Sequence, residues 1–91
     1  MSPAAARDRT LLASDVASLK VPAFLVIDAL QHSPKDIQLR ALALTLATLC
    51  RPLGIDPHEL VTRANRQLVH ADATRNPHIE AISEYASGEL A

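Results

Sequence analysis

Aromatic residues are nearly missing from this 91-residue chain: Phe24 and Tyr85 are the only two, and there is no tryptophan. A core without large rings must be assembled from Leu, Ile, Val and Ala, whose small volumes require helices to approach closely. Glycine is as scarce, with only Gly54 and Gly88, and this excludes a glycine-rich loop of the kind that cradles phosphate. A single cysteine, Cys50, excludes an intrachain disulfide and suits a reducing compartment. Neither sign of charge dominates, since nine basic residues stand against ten acidic ones. That balance argues against a nucleic-acid coat protein or a polybasic membrane binder. No apolar run approaches the roughly 18–20 residues of a membrane span, and no apolar segment follows Arg7 and Arg9 as a secretory signal would require. The expectation is one small cytoplasmic domain with no membrane attachment.

What the chain has in quantity is apolar, helix-forming sequence. Residues 37–50 read IQLRALALTLATLC, and from Ala41 to Cys50 only Thr45 and Thr48 interrupt a run of Ala, Leu and Cys. Ala and Leu favour helix over strand, and only the two threonines of that run are β-branched. A surface helix shows one apolar stripe. This one is apolar nearly all round, so burial from several directions is expected, and it takes the place of a central helix.

The boundaries share one punctuation. Ser33-Pro34, Asp56-Pro57 and Asn76-Pro77 each set a capping side chain before a proline. The side-chain oxygen can accept an orphan N–H of the first turn while Pro presets φ. Asp36 and Glu59 follow three residues after two of these caps, where a carboxylate suits the positive end of the helix dipole. Pro52 and Gly54 close the central helix, and Gly88 reads as the stop of the last one. Pro22 suits the start of the first. The fold class is therefore all-α, a compact bundle of four main helices at about 22–32, 34–52, 57–71 and 77–87. They form a single domain over residues 19–91, behind a flexible segment 1–18 in which Ala4–Leu12 allows a helical turn or two. Phe24, Ile27 and Leu30 line one side of the first helix. Leu60, Ala64, Leu68 and Ala71 form the inner stripe of the third, and Ile79, Ile82 and Ala86 that of the fourth.

Residues with chemistry to offer are mostly claimed by these structural roles. Asp36, Asp56 and Glu59 belong to helix starts, Glu80 and Glu84 are a like-charged pair at i,i+4, and Cys50 lies on the apolar helix. No two of His32, His58, His70 and His78 pair at i,i+4, and no Cys-x-x-Cys or His-Glu-x-x-His occurs. Catalysis, a metal site and a cofactor are not expected. Arg40 is the odd residue of the central helix. It either runs its stem along the surface or pairs with Asp36.

Leu53-Gly54-Ile55-Asp56-Pro57-His58-Glu59-Leu60, preceded by Leu46-Ala47, resembles the closing turn of lambda-repressor-like helix-turn-helix domains. The resemblance rests on helix-capping residues. It lacks an earlier turn followed by a polar recognition helix, so no DNA-contacting residue carries over. The stretch best suited to nucleic acid lies elsewhere. Arg63, Arg66 and Gln67, with Arg75 beyond them, put guanidinium and amide groups at helical spacing, although no aromatic platform accompanies them.

Excess apolar helix surface is the feature most telling for function. Two broadly apolar helices need more cover than two short amphipathic ones supply, and contiguous exposed patches of that kind mark interfaces. The expected function is a non-catalytic helical protein–protein interaction module, homodimeric, of the accessory or inhibitor type, with a protein partner the residues do not name. Phe24, Leu25, Ile27 and Leu30, or Leu42 and Leu46 of the central helix, are the candidate interface. The alternative is a small DNA-binding regulator using the Arg63/Arg66 face.

Overall fold

A computed structural model describes residues 5, 9 and 16–90, and among them every regular element is helical. A 3₁₀ turn, Ala17–Leu19, leads into α1 (Lys20–Leu30). Then come α2 (Lys35–Cys50), a second 3₁₀ turn (Arg51–Leu53), α3 (Pro57–Thr74) and α4 (Pro77–Leu90). The four helices expected from the sequence are all present. Most of the segment 1–18, including most of Ala4–Leu12, lies outside the described residues.

Two of the three expected caps form. The Asp56 carboxylate accepts from the His58 N–H at 2.9 Å, and the Asn76 side chain accepts from the N–H groups of His78 and Ile79 at 2.9 and 3.3 Å. The Ser33 cap does not form. Pro34 occupies the N-cap position with no side-chain hydrogen bond, and α2 starts at Lys35. The Gln38 side chain turns back and donates to the Ser33 carbonyl at 3.0 Å, tying the turn to the helix that follows. Gly54 ends the helix–3₁₀ run at φ 66°, the left-handed conformation that favours glycine.

Three boundaries differ from expectation. α1 begins at Lys20 rather than Pro22, because Pro22 still falls in the first turn, where its missing N–H leaves no bond unmade. α3 continues to Thr74 and absorbs most of the expected connection. The Thr74 hydroxyl donates to the His70 carbonyl at 2.9 Å, and Arg75, at φ 54°, terminates the helix in place of a glycine. α4 runs through Gly88 to Leu90. A glycine lowers helix stability without forbidding the helix, and the turn around it is held by Gln31 Nε2, which donates to Glu89 at 2.9 Å.

The principal packing is α1 against α4. The rings of Phe24 and Tyr85 lie 4.7 Å apart at 39°, a tilted arrangement that suits the aromatic quadrupole. The Tyr85 hydroxyl donates to the Asp28 carboxylate beside them. Ile27, Cys50, Ile55 and Ala71 are the buried apolar residues, Gln38 is the buried polar one, and no large side chain is completely buried among the described residues.

α2 corrects the sequence reading most. It is not wrapped from several sides: only Gln38 and Cys50 along it are buried. Leu39, Leu44 and Leu49 are 73 %, 70 % and 64 % exposed. Its apolar circumference therefore stays largely exposed. The inner stripe of α3 is likewise only partly covered, with Ala71 buried and Leu60 half-buried while Ala64 and Leu68 stay exposed.

Candidate interaction surface

α2 turns a narrow row toward its own chain. Gln38, Leu42, Leu46 and Cys50 recur every four residues, and burial follows them: both ends are buried and Leu46 is half-buried. At about 100° per residue, the opposite side carries Ile37, Arg40, Ala41, Leu44, Ala47, Thr48 and, just past the helix end, Arg51. All seven are exposed. The threonines add little polarity. Thr45 donates to the Ala41 carbonyl at 2.9 Å and Thr48 to the Leu44 carbonyl at 2.7 Å, so both hydroxyls are satisfied by the helix itself. Leu44, Ala47, Thr48 and Arg51 surround a shallow hollow of about 200 Å³. Residues at i, i+3, i+4 and i+7 are the four that receive a partner's side chain when helices pack knobs into holes.

A second uncovered face lies on α1, where Val21, Pro22, Leu25, Val26 and Ala29 are all exposed and none is charged.

The candidate interface residues divide between inside and outside. Phe24 and Ile27 are engaged in packing within the chain, and Leu30 and Leu46 are half-buried. Leu42 is marginally exposed, while Leu25, at 63 %, stands clear of the chain. Leu39, Leu44 and Leu49, absent from the expected set, are the most exposed leucines among the described residues. Helical spacing marks Leu44 as opposite the Leu42/Leu46 row, but only coordinates show which side faces the chain.

The basic residues of α3 also divide. Arg63 is tied to Glu59 at 3.4 Å, an exposed i,i+4 pair that adds little stability. Arg66 borders an open hollow of about 550 Å³ with Thr62, Asn65, Val69, His70 and Ala73. Gln67 is half-buried and borders a neighbouring hollow with Arg66. Arg75 sits past the helix end. No stacking platform joins them, since Phe24 and Tyr85 face each other.

Several polar groups escaped sequence reasoning. Asp28 and Tyr85 are 57 positions apart and Gln31 and Glu89 are 58, so spacing carries no trace of either bond. The bond to Asp28 pushes the Tyr85 phenol up to about 12, aided by desolvation and the nearby carboxylates. Among the described residues no three of His, Cys, Asp or Glu gather as a metal site would need, and no helix is long and apolar enough to cross a membrane. Arg40 has no ion pair with Asp36; its side chain is exposed. Comparison with protein-family models, curated proteins and solved structures found no match.

Proposed function

We propose that this protein is a non-catalytic helical interaction module, of the accessory or inhibitor type, that works as an assembly beginning with a homodimer. One observation carries this reading: the long, uncharged stretches of α1 and α2 are exposed while the chain's own core is small. Apolar side chains left in water forgo on the order of 1.5–3 kcal/mol each that burial would supply, so a surface of this kind favours association. The cytoplasm is the proposed compartment, where the buried, unpaired Cys50 would stay reduced.

Sedimentation of the full chain at micromolar concentration tests the reading. A mass of twice 9.8 kDa is expected, and a monomer would count against it. The DNA-binding alternative rests on the exposed Arg66 of α3, so the same run includes a short DNA duplex. Co-sedimentation at low salt that falls steeply with added salt, and is lost in Arg66→Ala, would favour that alternative.

A further inference from the structure

The two exposed faces are not equivalent as dimer surfaces. α1 is 11 residues long and α2 is 16, so the outer face of α2 runs about 24 Å at 1.5 Å per residue. Ile37, Leu44 and Ala47 fall at the spacing of a two-helix seam, and arginines, Arg40 and Arg51, hold the two other positions of that spacing. Ala41 and Ala47 lie three residues to either side of Leu44, so small residues flank the leucine in both directions. A two-fold axis makes such a surface its own complement.

Resting on the interaction-module reading above, we infer that the outer face of α2 pairs with the same face of a second copy, antiparallel, with the axis passing beside Leu44. In that register Leu44 meets its counterpart between small residues, Ala41, Ala47 and Thr48, which let the helices approach closely. Arg51 comes opposite the partner's Ile37, one position from the partner's Asp36. Asp36 and Arg51 lie on the same flank of the helix, and neither has an ion pair among the described residues. The two-fold creates two Asp36–Arg51 pairs, each carboxylate facing the other chain's guanidinium. Arg40 comes opposite the partner's Thr48 and can lay its stem along the seam with its charge in water. The occupant is a second copy because small residues, Ala41 and Ala47, flank Leu44 in both directions and the exposed end charges, Asp36 and Arg51, become reciprocal across a two-fold.

The test places single cysteines in the full-length chain in a Cys50→Ala background and treats each variant with a short bismaleimide at micromolar concentration. Leu44→Cys should give cross-linked dimer as the main product, and Leu25→Cys on the outer face of α1 should give little. Cross-linking at Leu25→Cys but not Leu44→Cys would overturn the α2 pairing while leaving the interaction-module reading standing. A dimer by sedimentation with no cross-link at either position would do the same. A monomer by sedimentation would remove both. Asp36→Arg alone and Arg51→Asp alone should each weaken dimerisation by up to about 10-fold, and the double exchange should restore it. Losses that simply add in the double variant would contradict the antiparallel register. Leu44→Glu, with helicity checked by circular dichroism, should weaken the dimer on the order of 100-fold; undiminished affinity with helicity intact would overturn the proposal.

Discussion

The α1–α4 pair and α2 are built from similar apolar material and behave differently. α1 and α4 hold each other through Phe24 against Tyr85, the Tyr85–Asp28 bond and the Gln31–Glu89 bond. α2, richer in unbroken Ala and Leu, touches its own chain along one row and leaves the rest exposed. Apolarity therefore states that a helix needs cover, and specific contacts decide where the cover comes from. In α1 and α4 those contacts are intramolecular. In α2 they are few, and the proposed pairing assigns the cover to a second copy.

The contrast is broken most severely in the core. Ile27→Ala should lower stability by about 2–4 kcal/mol, measured by urea unfolding, with a loss that is the same at low and high protein concentration. Leu44→Ala should matter only where association occurs, so its effect should grow with concentration. Equal, concentration-independent losses at both positions would erase the distinction between the two regions.

A smaller effect is expected at the helix starts. Asp56→Ala and Asn76→Ala should each cost about 1 kcal/mol, whereas Ser33→Ala should change stability little, since no side-chain cap exists at α2. Comparable losses at all three sites would restore the Ser33 cap. Gly88→Ala should stabilise by about 0.5 kcal/mol, because Gly88 is helical and a Cβ there meets nothing within 4 Å. A loss would mean that the residue is needed as a helix stop.

The smallest effect sharpens the description of α1–α4. The Tyr85 phenol is raised from 10.0 to about 12 by its bond to Asp28, so the folded chain holds that proton more tightly than the unfolded one. The bond's contribution is complete below pH 10 and is lost as pH rises through about 12. The stability–pH curve should decline across that interval, and Tyr85→Phe should remove this component. An unchanged decline in Tyr85→Phe would assign it to other groups.

The helices themselves were legible because their ends are written locally. Asp56-Pro57 and Asn76-Pro77 place a cap and a preset φ within two residues, and Gly54 supplies the left-handed stop. Ser33 failed as a cap although the same local pattern was present, because α2 starts one residue later and puts Pro34, which has no side-chain acceptor, at the N-cap position. Gly88 failed as a stop because a glycine lowers helix stability without ending the helix. Which face of α2 is inward is non-local. Leu42 and Leu44 have the same chemistry, and only the fold makes one 37 % and the other 70 % exposed. The exposed leucines of the candidate surface could therefore be counted in the sequence but not placed.

The central claim is that the chain's fold is completed by a surface outside itself. The most direct measurement is the thermal midpoint as a function of protein concentration, because binding that favours the folded state raises that midpoint by mass action. A midpoint that climbs steadily over a hundredfold rise in concentration is the result this account requires. A midpoint that stays constant over that range would show that one chain is sufficient by itself, with its leucines exposed and α2 serving no partner.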